Sequence, residues 1–104
     1  MTTSRLDKFK KLLEKNPNNP LAYFSLANES FKMKMFEDTV SYIEKYLELK
    51  DDEGAVYRML AECYVELDMK EKAVESYRKG IDAALKNGHD GMAEEFEDAI
   101  EFMD

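Results

Sequence analysis

The chain has 104 residues, of which 44% are hydrophobic and 37% charged, and it carries a formal net charge of −8 with one Cys and one His. This composition predicts one small soluble domain, and a single Cys excludes an internal disulfide framework. The acidic balance argues against a nucleic-acid partner. No apolar run reaches the roughly 20 residues of a membrane-spanning helix, which argues against a membrane partner. The first residues lack the apolar block of a signal peptide and the chain has a single Cys, so we expect a cytoplasmic protein.

Helix-forming residues dominate the chain, which has only two Pro and four Gly. The helix-breaking residues fall at 16–20, 34–36, 50–54, 68–69 and 86–91. These breaks predict about six helices. Residues suited to N-cap positions support them, namely Ser4 with Asp7, Asn19 before Pro20, Asp68 with Glu71, and Asp90. Asn87-Gly88 suits a helix end that needs a left-handed residue.

The sequence repeats itself at an offset of 34 residues without a gap. The matched columns include Tyr23 and Tyr57, Leu26 and Leu60, Ala27 and Ala61, and Val40 and Val74. Residues 6–13 match the second half of each copy, because Leu6 shares the column of Val40 and Val74. Each copy places apolar residues on one stripe of each of two helices, and stacked helix pairs would bury these stripes.

The second copy resembles the tetratricopeptide repeat, a family of 34-residue helix–turn–helix units. The residues that carry the resemblance are Tyr57, Leu60, Ala61, Tyr64, Ala73 and Tyr77. The first copy has Ser30, Thr39 and Ile43 at three of these positions, while Pro17 matches the closing Pro of the family and Asp51 departs from it. The resemblance implies an all-α, right-handed solenoid of antiparallel helix pairs.

The repeat alignment predicts one domain over residues 1–104. We expect an N-terminal half-repeat at 4–16, full repeats at 20–53 and 54–87, and a capping helix at 89–103. The last helix is amphipathic but leaves the 34-residue register, because Gly91, Glu94 and Glu95 occupy the columns of Tyr57, Leu60 and Ala61. Terminal units of solenoids are commonly atypical in this way.

No residues in the chain have the spacing of a catalytic or metal site. His89 lies in a turn beside Asp90, which predicts a turn or cap residue, and Cys63 is expected to be a small buried apolar residue. The carboxylates at 51–53 and 94–98 lack the loop spacing of a calcium site and are expected to cap helices or face solvent. We therefore predict no enzymatic activity, no metal and no cofactor.

The family resemblance implies a concave groove, lined by the first helix of each pair, that holds an extended or helical peptide. The residues predicted to line it are Leu21, Phe24, Asn28, Phe31, Lys32, Arg58, Glu62 and Val65. Phe24 and Phe31 have a second interpretation, in which they pack on a neighbouring helix pair or on the N-terminal half-repeat.

The predicted function is a small non-catalytic interaction module, or scaffold, that binds an unidentified partner protein or peptide. The alternative is a self-associating structural subunit, a homo-oligomer that uses the exposed solenoid ends. In that alternative, chains share the apolar residues Met92, Phe96, Ile100 and Met103. The basic residues Lys8, Lys10, Lys11 and Lys15 form either a contact for an acidic partner or the polar face of the first helix.

Overall fold

A computed structural model describes residues 4–103 of the chain, and within that range it contains helices and no strand. The helices are α1 (Arg5–Lys15), α2 (Pro20–Lys32), α3 (Phe36–Leu49), α4 (Ala55–Glu66), α5 (Lys70–Lys86) and α6 (Asp90–Met103). The prediction of an all-α chain of about six helices is confirmed, and every predicted break lies at a helix boundary.

The helices form two compact units that divide between Asp51 and Asp52. In the first unit, α2 packs against both α1 and α3. In the second unit, α5 packs against both α4 and α6. Short turns join the consecutive helices of each unit, so each packed pair is antiparallel. The repeat boundaries and the single domain inferred from the alignment stay predictions.

Side-chain caps fix three helix starts. The Ser4 hydroxyl accepts a hydrogen bond from the Asp7 amide at 3.2 Å. The Asn19 side chain accepts from the amides of Leu21 and Ala22, and Pro20 occupies the first helical position as predicted. Before α4, one carboxylate oxygen of Asp52 accepts from the amides of Gly54 and Val56 at 2.8 and 2.9 Å. These acceptors satisfy amides that have no partner within the helix.

Three helices end in the same hydrogen-bonded turn, with a residue in the left-handed region. These residues are Lys34, Asp68 and Gly88, with φ of +60°, +60° and +76°. In each turn the next amide reaches back five residues, as from Met35 to the Ser30 carbonyl at 2.9 Å. This is the Schellman motif, and the left-handed position predicted at Gly88 is confirmed.

Two cap predictions were wrong. Asp68 does not cap α5, because its backbone closes the turn after α4; Met69 is the N-cap residue and makes no side-chain cap bond. Asp90 is the first residue of α6 itself, and the Ala93 amide bonds to the His89 carbonyl at 3.1 Å.

A buried polar contact joins α2 to α3 in the first unit. Ser30 and Thr39, both fully buried, place their hydroxyl oxygens 2.7 Å apart. The same hydroxyls also reach the carbonyls of Ala27 and Met35, on α2 and just before α3. The matching columns of the second copy hold Tyr64 and Ala73. The two residues that depart from the family pattern in the first copy, Ser30 and Thr39, thus compensate for each other by forming a hydrogen bond between α2 and α3.

The second unit is built around Phe96, a fully buried residue of α6. Its ring lies 5.4 Å from that of Tyr77 and shares a cluster with Ala61. Gly80 admits the ring, because a Cβ at that position would lie 2.7 Å from Cε2 of Phe96 and 2.9 Å from Cβ of Tyr57. The rest of the apolar stripe of α6 packs on the same cluster, namely Met92, Ala99, Ile100 and Met103.

We predict that Gly80→Ala lowers the free energy of unfolding by about 1–3 kcal/mol, because the added methyl overlaps a ring that has no room to move. Gly91→Ala is the matched control, since a Cβ there meets nothing within 4 Å. The control should be neutral or stabilising by less than about 1 kcal/mol, through its helix propensity. Urea unfolding measures both, and equal stabilities for the two variants would contradict the packing described for Phe96.

Candidate peptide-binding surface

The predicted groove residues of the first unit form one stripe on α2, which we call the α2 face: Leu21, Phe24, Asn28, Phe31 and Lys32. Leu21 is 69% exposed. Phe24, Asn28 and Phe31 are half-buried, and Lys32 is exposed. The face therefore offers solvent an apolar residue, a partly covered amide and a cation.

Each aromatic residue of the α2 face contacts a ring associated with α3. The Phe24 ring lies 5.5 Å from that of Tyr46, and the Phe31 ring lies 5.9 Å from that of Phe36 in an edge-to-face arrangement. The sequence analysis had considered a neighbouring pair or α1 as their packing partner, and these observed contacts are with the second helix of their own pair. Both rings consequently help to join α2 to α3, and both residues remain half-buried.

The polar residues of the α2 face are held differently. Lys32 lies 3.7 Å from the Glu29 carboxylate, which also forms an ion pair with Arg5 of α1 at 2.9 Å. Among residues 4–103, the Asn28 side-chain amide makes no hydrogen bond. An amide with two donors and an acceptor on a half-buried surface suits recognition of a peptide backbone.

The predicted groove residues on α4 are Arg58, Glu62 and Val65, which we call the α4 face. Val65 is 47% exposed. Arg58 is already engaged within its unit, because its Nε and Nη2 donate to the two carboxylate oxygens of Glu95 at 2.5 and 2.8 Å. Its guanidinium also lies 5.3 Å from the centre of the Phe96 ring. Two parallel charge-assisted bonds and a ring hold the side chain of Arg58 against α6.

The pKa values of the two carboxylates near Arg58 shift in opposite directions. The hydrogen bond from Arg58 lowers the pKa of Glu95. Loss of solvent raises the pKa of Glu62, and the nearby Glu95 charge adds to that increase while Arg58 opposes it. Burial likewise raises the pKa of the Tyr77 hydroxyl. The structure thus gives Glu62 and Glu95 different environments and opposite pKa shifts, although the sequence alone does not distinguish them.

The sequence analysis missed the contact of Glu95 with Arg58. The two residues lie 37 positions apart, outside the 34-residue columns, and α6 had already left the register. Their opposite charges were the available signal, but with 23 acidic residues in the chain the charge of Arg58 does not identify which one is its partner.

The remaining candidates for chemistry are His89 and Cys63. His89 Nε2 is 2.9 Å from a carboxylate oxygen of Glu53, at the exposed turn before α6. Cys63 is fully buried, as predicted. No group of three or more His, Cys, Asp or Glu side chains is placed to hold a metal ion within residues 4–103. Within that range there is also no helix long and apolar enough to cross a bilayer.

The chain was compared with known protein families, sequences and structures. No protein-family model matches the chain. Over 84 residues, 81% of the chain, the sequence is 26% identical to anaphase-promoting complex subunit 3 of Dictyostelium discoideum. The match spans only 9% of that protein's length.

A solved structure shares the fold. The solution structure of protein BPP2914 from Bordetella parapertussis matches with a TM-score of 0.82 and 14% sequence identity, covering 98% of this chain and 89% of that one. This likeness concerns the fold alone, and it agrees with the helical-repeat architecture expected from the sequence. The structural likeness therefore supports the all-helical architecture.

We predict that Glu95→Gln lowers the free energy of unfolding at pH 7 by less than about 1 kcal/mol, since both partners are partly solvated. Because the folded-state pKa of Glu95 lies below its ordinary value of 4.5, the ion pair stabilises the protein above that pH. The contribution is lost as the pH falls through the folded-state pKa, so the variant and the wild type should converge in strong acid.

Glu97→Gln is the matched control, because it removes the same charge from α6 at an exposed carboxylate that makes no ion pair within residues 4–103. Urea unfolding across the acid range should show no comparable loss at pH 7 for this variant. Equal destabilisation by both substitutions would mean that helix charge, rather than the contact with Arg58, controls the effect.

Proposed function

We propose that the chain is a small, non-catalytic interaction module of the tetratricopeptide class that binds an extended or helical segment of a partner protein. The repeated helical hairpins support the class, together with the family-like residues on α4 and α5. The similarity to a subunit whose name places it in a multiprotein complex favours the same kind of role. The single buried Cys63 favours a cytoplasmic location.

The observation that carries the proposal is the composition of the α2 face. Leu21 exposes more than two-thirds of its surface, and Phe24, three residues later on the same stripe, is half-buried. Asn28 follows one helical turn later with an amide that makes no hydrogen bond within residues 4–103. Apolar contact area next to an amide is the combination that anchors a peptide side chain and reads its backbone.

The α4 face takes a smaller part in this proposal. Val65 offers apolar area, but Arg58 would have to leave both Glu95 and the Phe96 ring before it could pair with a partner's carboxylate. We accordingly assign recognition mainly to the α2 face, and treat Arg58 as a residue that holds α6 against α4.

We predict that peptides selected from a phage-displayed random library on the wild-type protein bind Asn28→Ala and Leu21→Ser roughly tenfold more weakly. Both substitutions remove exposed or half-exposed groups, so urea unfolding should change little. Phe24→Ala is a poorer test, because it also removes the ring contact with Tyr46.

Leu49→Ser is the matched control, since Leu49 is an exposed leucine on α3, at 38% exposure. Its peptide affinity should equal that of the wild type. If the library yields no binder, or if all three variants bind equally well, the α2 face is not a peptide site.

A further inference from the structure

The first and last helices of the chain carry opposite charges, and among residues 4–103 most of these charges form no ion pair. Helix α1 has five basic and two acidic residues, a net charge of +3. Helix α6 has six acidic residues and no basic one, a net charge of −6. The formal charge of the whole chain is −8, so the positive charge of α1 runs against the overall balance.

The charges on α1 form a stripe turned away from its packed side. The residues that pack toward α2 are the half-buried Leu6, Phe9 and Leu13. The opposite side exposes Lys8, Lys11, Leu12 and Lys15, at the spacing of one helical stripe, which we call the basic stripe. Leu12 is 45% exposed at its centre.

An acidic stripe on α6 has the complementary composition: Glu94, Glu97, Asp98, Glu101 and Phe102. It faces away from the side that carries Phe96. Phe102 is 92% exposed, the most exposed large apolar residue among those described. Each stripe therefore combines several like charges with one apolar side chain open to solvent.

Neither stripe finds its counter-charges within its own unit. Among residues 4–103, no ion pair involves Lys8, Lys11 or Lys15, nor any of the four carboxylates of the acidic stripe. Like charges at the spacing of Glu94, Glu97 and Glu101 destabilise a helix by about 0.2–0.5 kcal/mol per pair. Acidic groups toward the carboxyl end of α6 also oppose its dipole. A basic surface would relieve both effects.

We propose that the basic stripe of one copy of the chain docks on the acidic stripe of a second copy. Lysines then face carboxylates along two helices, and Leu12 and Phe102 give each stripe an apolar contact point. The same two stripes join every copy to the next, which makes the contact heterologous. The apolar residues that the sequence analysis assigned to self-association are not used, because Phe96 is fully buried and the others pack beside it.

The test is sedimentation and light scattering of the whole chain over a dilution series. Wild-type protein should associate at low ionic strength, and the association should weaken roughly tenfold or more between about 20 mM and about 500 mM salt, as the charges are screened. A chain that remains monomeric at every concentration in low salt overturns the proposal.

Charge reversal identifies the stripes. The triple variant Lys8→Glu/Lys11→Glu/Lys15→Glu makes both stripes acidic, and Glu94→Lys/Glu97→Lys/Glu101→Lys makes both basic. Each variant alone should be monomeric. Their mixture should associate again, and so should a chain that carries all six substitutions, because opposite charges then face each other once more.

The matched control is Lys50→Glu/Lys70→Glu/Lys86→Glu, which changes the net charge by the same amount at exposed positions outside α1. It should associate like the wild type, and circular dichroism should show unchanged helix content in all variants. Association retained by both reversed variants would place the contact elsewhere. A wild-type monomer whose acidic stripe binds oligolysine would assign that stripe to a different basic partner, and either result overturns the proposal.

Discussion

No helix of the described chain buries its apolar stripe alone, and the structure depends on the close approach that consecutive helices must make to cover these stripes. In the second unit this constraint falls on Gly80, where even a methyl group would overlap Phe96 and Tyr57. A ring from α6 thereby reaches Ala61 and Tyr77. The absence of a side chain at Gly80 therefore allows Phe96 to complete the core. Such a contact leaves no spare volume, because protein interiors are packed as densely as crystals of small molecules.

The two repeats solve the same packing problem with different residues. In the first copy Tyr46 supplies a ring that packs on Phe24. The equivalent columns of the second copy hold Gly80 and Arg58, and there the ring comes from α6 and lies under the guanidinium of Arg58. One repeat thus carries its own aromatic filler, whereas the other accepts one from the helix that follows. This exchange explains why equivalent columns differ in size and charge without loss of the hairpin.

The same exchange gives the α2 face and the α4 face different chemistry. On α4, the bonds from Arg58 to Glu95 use a cation to fasten the last helix, so that face is partly satisfied internally. On α2, rings pack toward α3, Leu21 is exposed, and the Asn28 amide makes no hydrogen bond among residues 4–103. Charge is also distributed unevenly, because the basic stripe of α1 and the acidic stripe of α6 carry exposed groups of opposite sign that form no ion pair among residues 4–103. Recognition of a peptide and contact between copies would therefore use different surfaces and different forces.

The sequence by itself determined the helices and their pairing, since periodic apolar residues and local breakers act within a few positions of the backbone. The repeat columns placed Leu26, Leu60 and Tyr77 in the core. Local capping preferences placed Asn19 and Gly88 at helix boundaries. Only the tertiary structure showed that Arg58 is paired with a carboxylate, and that the Asn28 side-chain amide makes no hydrogen bond among residues 4–103. The pairing of Arg58 with Glu95 and the contact of the Phe24 ring with Tyr46 depend on groups that are distant in sequence. The turn conformation of Asp68 depends on backbone geometry. The spacing of residues along the sequence predicts neither of these.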